Sequence, residues 1–401
     1  MKVVILGDTH FGGGYSLGRV DQHRHLNTRL VDFSNTFDYV IDYMVSNEVS
    51  HFVLTGDIFE HQRPQALELG IFSEKISRLS DLKIHTYIVV GNHDIVIDQR
   101  STTIDVLKHL RLPFIHIYPD IDAVCCEDTF GDIINFIFLP FRTKQSLGCA
   151  SNNMAVQRLS DILQYEISGI ANNGLKVLAG HFMLQETILG NAVMDNHPGE
   201  IVLPLDMFCG FDAVVMGHIH PHQIIRRDPL ITYIGSMERK DFGESGHSKY
   251  FLAIEKNGND TVFRFEKLPV RSLYDVTFDQ SFIEREDEIM GSIKRHLTEF
   301  AQKKPLFGSI TRLNILVNEK TVQEISYDEI MSFMKKELMV YHCTGIHLQV
   351  ASKRQLRKAS ITEKIDPISS FNEYLELEED SALRERMREF GIGIISRRCR
   401  Q

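Results

Sequence analysis

Five short apolar runs in the first 220 residues stop in the same way, and no other feature limits the possible fold so tightly. Each ends at a glycine followed by side chains able to bind metal. Residues 3–6 lead into Gly7-Asp8-Thr9-His10, and residues 52–54 lead through Thr55 into Gly56-Asp57. Residues 87–90 lead into Gly91-Asn92-His93-Asp94, residues 177–179 into Gly180-His181, and residues 213–216 into Gly217-His218-Ile219-His220. Continuous apolar runs of this length, rich in β-branched residues, suit strands buried on both faces in a sheet covered by helices.

The stretches between them read as amphipathic helices. Residues 33–45 place Phe37, Val40, Ile41, Met44 and Val45 near helical spacing, and residues 66–79 do the same with Leu69, Phe72, Ile76 and Leu79. Strand-helix alternation predicts an α/β layered domain. In such sheets the polar site gathers beyond the carboxyl ends of the strands, where all five runs deliver their polar residues. A glycine before each one permits a sharp exit and a close backbone approach.

The delivered set is Asp8, His10, Asp57, Asn92, His181, His218 and His220. Carboxylates, an amide oxygen and imidazoles without a thiolate suit borderline or hard divalent ions such as manganese, iron or zinc. Seven ligands exceed one tetrahedral zinc but suit two ions that share a bridging carboxylate. Two ions about 3.5–4 Å apart clamp a phosphate ester, hold a hydroxide nucleophile and stabilise the leaving oxygen. Phosphodiester hydrolysis is therefore the expected reaction.

In this order, the five blocks resemble the calcineurin-like metallophosphoesterase superfamily. The resemblance implies a four-layer α/β sandwich of two mixed sheets flanked by helices. It implies a first metal held by Asp8, His10, Asp57 and His220. Asp57 would bridge to a second metal, completed by Asn92, His181 and His218. His93 would face the phosphate as transition-state stabiliser or general acid, with Asp94 orienting its imidazole.

A narrower resemblance lies outside these ligands. Gly56-Asp57-Ile58-Phe59 with Arg63-Pro64, and Ile234-Gly235-Ser236-Met237-Glu238-Arg239 with Phe242-Gly243-Glu244 and Lys249, look like the SbcD nucleases. It covers residues 1–270 well and the remainder loosely. The resemblance implies a DNA-repair nuclease that cuts DNA ends and hairpins, usually with manganese. It also implies an SbcC-type coiled-coil ATPase as partner, and a homodimer. Some members carry histidine directly after the Gly-Asp-x-Phe block, where this chain has Glu60 and then His61.

The nuclease domain is expected over residues 1–256, closing at a turn over 256–260, with a strand over 261–268. Helices are expected over 283–300 and 327–339, and strands over 312–317 and 345–350. Together they predict a smaller α/β unit over 270–350, which the resemblance identifies as a capping domain. Residues 351–401 begin as a basic linker with Lys353, Arg354, Arg357 and Lys358, and Asp366-Pro367 breaks the chain. A charged helical stretch follows over 382–390. By the resemblance this tail binds the ATPase, through Phe371, Tyr374 and Leu375.

Composition narrows the alternatives. The 401 residues suggest two or three domains, and 43% hydrophobic with 24% charged residues is ordinary for a soluble globular chain. No apolar run approaches the roughly 18–20 residues that span a bilayer, and the opening apolar stretch is too short for a signal peptide. The six cysteines, Cys125, Cys126, Cys149, Cys209, Cys343 and Cys399, show no C-x-x-C spacing and read as reduced thiols in a cytoplasmic protein. A net charge of −10 weighs against nonspecific polyanion binding, unless bound cations or a local basic surface reverse the field. Arg19, His23, Arg24, His25 and Arg29 form one basic segment, able to meet DNA phosphates or to stay solvated. His222 reads as structural. Two other functions fit the same blocks: a phosphoesterase acting on phosphoprotein or a small phosphodiester, and a non-catalytic scaffold. The scaffold predicts an eroded ligand set, whereas every position here is competent.

Overall fold

The computed structural model describes residues 1–96, 102–170, 174–190, 192–194, 197, 199–280, 289–317, 321–350, 371, 375, 384–388 and 391. Along the chain come β1 (Lys2–Leu6), α1 (Thr28–Ser46), β2 (His51–Leu54), α2 (Ala66–Asp81), β3 (His85–Val89), α3 (Val106–Leu110) and β4 (Ile115–Tyr118). Next are β5 (Asp122–Glu127), β6 (Ile133–Leu139), α4 (Asn152–Gly169), β7 (Leu175–Gly180), β8 (Ala213–Met216), β9 (Gln223–Arg227), β10 (Leu230–Tyr233), β11 (Tyr250–Asn257) and β12 (Asp260–Lys267).

These strands form two six-stranded mixed sheets. One has the order β12-β11-β1-β2-β3-β4, with β1 to β4 parallel and the β11–β12 hairpin antiparallel at one edge. The other has the order β9-β10-β8-β7-β6-β5, parallel in the centre and closed by antiparallel β9 and β5. The apolar runs lack alternation because both faces of each strand are covered. In β1, Val4 and Leu6 join a core with Phe33 and Phe37 of α1 and Phe72 of α2, while Val3 and Ile5 join Phe136, Val177 and Val215 between the sheets. Leu178 of β7 and Val214 of β8 pack with Leu159 and Leu163 of α4 in a third core. The result is a helix–sheet–sheet–helix sandwich.

Local chemistry explains where the helices begin. The Asn27 side chain accepts from Arg29 N at 2.8 Å, capping α1, which contributes about 1 kcal/mol. A capping box between Gln65 and Glu68 opens α2. Phe37, fully buried, meets Phe52 and Phe72 edge-on at 5.9 and 6.0 Å. Truncating such a ring to alanine costs about 3–5 kcal/mol.

The sequence-based turn over 256–260 is a hairpin turn and does not end the core, because β12 pairs with β11 along its whole length. α4 escapes the apolar pattern because only Ala155, Leu159 and Leu163 of its 18 residues are buried. Farther on, β13 (Leu273–Asp279), β14 (Ile310–Val317) and β15 (His342–Val350) form a three-stranded sheet in the order β13-β14-β15, with α5 (Ile289–Lys303) and α6 (Tyr327–Lys336) between them in sequence. The helix expected over 283–300 has its first six positions outside the described residues.

By compactness the chain divides into two units. One comprises Met1–Val276, Lys294–Leu313 and Ser326–Ile346; the other comprises Thr277–Ile293, Asn314–Ile325 and His347–Gln401. In the second, Ile289, Ile293, Ile315, Val317 and Leu375 are buried. Tyr374, the basic linker and Asp366-Pro367 lie outside the described residues, whereas Phe371, Leu375 and 384–388 are helical. Among the described residues no helix is long and apolar enough to cross a membrane.

Candidate metal centre

The parallel strands of both sheets point their carboxyl ends at one place. β1 leads to Asp8 and His10, β2 to Asp57, β3 to Asn92 and His93, β7 to His181, and β8 to His218 and His220. All seven expected ligands meet there. Ligand atoms of Asp8, His10 and His220 lie within 4.8 Å of one another, and Nε2 of His10 is 3.1 Å from Nε2 of His220. On the other side, Asn92 Oδ1 lies 2.9 Å from His181 Nε2 and 3.1 Å from His218 Nδ1. Asp57 stands between the groups, with Oδ2 3.6 Å from His10 Nε2 and Oδ1 3.4 Å from His181 Nε2.

Backbone strain accompanies this convergence. His10, Asp57 and His218 have φ of 43°, 51° and 86°, in a region that side-chain-bearing residues avoid. Each such residue costs on the order of 1–3 kcal/mol, and such strain gathers at functional sites. Two glycines provide close approach. A Cβ on Gly91 would lie 2.2 Å from Asp57 Oδ1, and one on Gly217 would lie 2.4 Å from Asp8 Oδ1.

Hydrogen bonds then hold the loops. Backbone N–H of His218 donates to both Asp8 oxygens at 3.1 and 2.9 Å, and His93 N–H donates to Asp57 Oδ1 at 2.8 Å. Asp94 is fully buried and accepts from the N–H groups of Asp57, Ile58 and Gly91 at 2.9, 3.0 and 2.8 Å. Both its oxygens are occupied by backbone, so its place is to join the Asp57 and Asn92 loops. The group against His93 Nδ1 is the Glu60 carbonyl at 2.6 Å, which corrects the expectation that Asp94 orients that ring.

Each converging imidazole has its outer nitrogen against an oxygen. Glu60 Oε2 lies 3.2 Å from His10 Nδ1, Glu200 Oε2 lies 2.7 Å from His218 Nε2, and Glu244 Oε1 lies 2.8 Å from His220 Nδ1. His181 Nδ1 is 2.8 Å from the Thr55 carbonyl. Such partners fix the tautomer and turn the inner nitrogen toward the shared space. The glutamates stay ionised. Against burial, His10 and Lys240 hold Glu60 down to about 2. Against burial, His220 and Lys249 hold Glu244 down to about 2. Sequence reasoning placed Glu244 only within a family signature and missed Glu60 and Glu200 as partners, since nothing local marks them.

The site calls for positive charge. Burial opposes it, yet Asp57 and Asp8 push His181 up to about 10. Burial and the Asp57 charge push Asp94 up to about 7, against the N–H groups that would lower it. The donor set fits divalent ions: two imidazoles on one ion at about 2.1 Å each are roughly 3 Å apart, which matches the spacing of His10 and His220.

Other candidates separate. Arg29 is fully buried and bonded to Asp32 and Glu238, so it is closed to a nucleic acid, whereas His23, Arg24 and His25 are exposed. Arg19 lies over the Tyr341 ring at 5.6 Å. His61 and Arg63 are exposed. His222 meets the Tyr233 carbonyl at 2.9 Å and packs on Tyr250 and Phe265, a structural place.

Comparison with known proteins agrees with this geometry. The sequence model of the family described as calcineurin-like phosphoesterase matches residues 1–222, a span that contains all seven converging residues. The SbcD component of the SbcCD nuclease from Escherichia coli strain K12 is 24% identical over 278 residues, which are 64% of this chain and 66% of that protein. Its Bacillus subtilis counterpart is 23% identical over 286 residues, 66% of this chain and 68% of its own length. The DNA double-strand break repair protein Mre11 of Thermoplasma acidophilum is 23% identical over 354 residues, 84% of this chain and 86% of that protein. The chain thus spans just under two thirds of the Escherichia coli relative.

Proposed function

The chain belongs to the calcineurin-like phosphoesterase family, and from that premise we propose that it is a manganese-dependent DNA nuclease, hydrolysing phosphodiester bonds at duplex ends and in single-stranded or hairpin DNA. The observation that carries the reading is Asp57, whose two oxygens face His10 at 3.6 Å and His181 at 3.4 Å. Asp8, His10, Asp57 and His220 hold one ion; Asp57, Asn92, His181 and His218 hold the other. When bound, the pair supplies the positive charge that polarises the phosphodiester and lowers the pKa of attacking water.

The protein's own residues do the rest. The Glu60 carbonyl keeps a proton on His93 Nδ1, leaving Nε2 free to face the phosphate, and the His93 side chain is 35% exposed, so substrate can reach it. In its protonated form that imidazole stabilises the charge developing on the phosphate and donates to the leaving oxygen. Asp94 keeps the Asp57 and Asn92 loops in register through three N–H groups. Residues 270–350 act as a cap over substrate. Residues 351–401 engage an SbcC-type ATPase, and the chain works as a homodimer in double-strand-break processing. The relatives named as the SbcD component of SbcCD and as Mre11 support the nuclease, DNA and ATPase parts of this proposal.

The test uses purified full-length protein with manganese, a labelled linear duplex, a hairpin and a chromogenic phosphodiester. Cleavage of DNA that stops on chelation and returns with manganese is expected. Turnover of the small ester with intact DNA, even with the ATPase added, would replace the nuclease by a small-phosphodiester enzyme. No turnover of either would leave a scaffold.

A further inference from the structure

Glu60 occupies the position where a family resemblance alone leaves this chain without a counterpart, and its surroundings are unusually specific. Its carboxylate lies 3.2 Å from His10 Nδ1 and 2.8 Å from Lys240 Nζ, while its carbonyl lies 2.6 Å from His93 Nδ1. Its own N–H donates to the Phe11 carbonyl at 3.0 Å, and Phe11 N–H donates back to Ile58 at 2.9 Å, so the residue is tied to the loop that carries His10.

We propose that Glu60, clamped by Lys240, is a positioning residue that sets two histidines at once. Its side chain orients the metal-facing His10, and its backbone orients the phosphate-facing His93. The inference rests on the metal reading above and goes beyond it by naming what places the ligand.

A matching arrangement across the site supports it. Behind His220, Glu244 Oε1 meets Nδ1 at 2.8 Å, and Lys249 Nζ meets Glu244 Oε2 at 2.5 Å and the His220 carbonyl at 3.2 Å. Thus a lysine, a glutamate and a histidine follow one another on each side, and the two inner Nε2 atoms meet at 3.1 Å. The same construction from two unrelated loops is expected where one cation must be approached by two imidazoles of fixed tautomer. Nδ1 of His10 is buried and has no other hydrogen-bond partner among the described residues, so the task falls to Glu60. Its side chain is 22% exposed, and without the Lys240 ammonium it would turn toward water.

The two roles are separable by mutation, because Glu60→Ala deletes the carboxylate and keeps the carbonyl. Manganese is titrated calorimetrically into metal-free full-length protein without DNA, and histidine tautomers are read by nitrogen NMR. Glu60→Ala should weaken manganese binding by about 10–100-fold and alter the His10 signal while leaving that of His93 in place. Glu60→Gln, whose amide oxygen still accepts from Nδ1, should recover part of the loss. Lys240→Met should weaken binding less than Glu60→Ala. Glu60→Ala within about twofold of wild type would overturn the role of Glu60 alone. Should Glu60→Ala not fold, wild-type affinity in both Glu60→Gln and Lys240→Met would overturn it equally. Wild-type protein that takes up no manganese would instead overturn the metal reading beneath it.

Discussion

Nε2 of His10 and Nε2 of His220 lie 3.1 Å apart, although 210 residues separate them along the chain. Two imidazole nitrogens with lone pairs facing each other repel unless a proton or a cation lies between them. Asp8 and Asp57 on either side supply negative charge, which favours the cation. The predictions below follow from that pocket and from the packing that supports it.

Replacing the central carboxylate should dismantle the site. Asp57→Asn keeps the size of the side chain but removes the charge shared by His10 and His181. Manganese affinity should fall by more than the about 10–100-fold typical of an outer partner, and manganese should no longer raise the melting temperature. Thermal melts with and without manganese read this directly; an unchanged shift in the variant would be inconsistent with a shared aspartate.

His93 should separate catalysis from binding. It stands 4.0 Å from Asp57 Oδ2, beside the converging ligands. His93→Ala should lower kcat about 10²–10⁴-fold while manganese titrations stay close to wild type. Full turnover in the variant would remove His93 from the reaction.

Arg29 should matter for folding, not for nucleic acid. Its guanidinium is fully buried and donates to Asp32 at 2.6 Å, Glu238 at 2.9 Å and the Arg239 carbonyl at 2.7 Å. Arg29→Ala leaves Glu238, which is 1% exposed, as an unpaired buried charge, at a cost of about 3–5 kcal/mol. Urea unfolding measures it, and a loss below about 1 kcal/mol would mean the ion pair is solvated.

His51 should make the fold acid-sensitive. It is buried beside Tyr87 and stacked on His85 at 5.4 Å. Burial first, and then the His85 and N-terminal charges, press its pKa from 6.5 to about 4. Above about pH 6.5 both folded and unfolded forms are neutral here, and the group adds no pH dependence. As pH falls from there toward 4, the unfolded chain takes a proton that the fold refuses. Stability should then drop by up to about 3 kcal/mol, with the loss complete below the folded pKa. Unfolding at several pH values should show a smaller acid-dependent loss in His51→Gln than in wild type. Parallel curves for the two proteins would refute this.

The sandwich and the converging ligands were legible in the residues because they rest on short-range patterns. Ala213–Met216 is the strand that its apolar run predicts, and α2 starts at Ala66, as its spacing predicts. The elements that escaped have weak local signals. β9 alternates poorly and is partly exposed, while α4 buries one narrow stripe. Asp94 was placed beside His93 because they are neighbours in sequence, yet its carboxylate turns to the backbone of residues 57 and 58 instead.

By itself the sequence determined the strands, the glycines at their ends and the chemical type of each ligand, since a strand's period and a glycine's freedom act over a few residues. Only the tertiary structure decided which acid stands behind which histidine and that Arg29 is sealed from solvent. Those outcomes join positions such as Arg29 and Glu238, 209 residues apart, or Glu60 and Lys240, 180 apart. Ionic contacts of that kind form only after both sheets have packed, because the cost of burying each charge is offset by a partner that packing alone brings within reach.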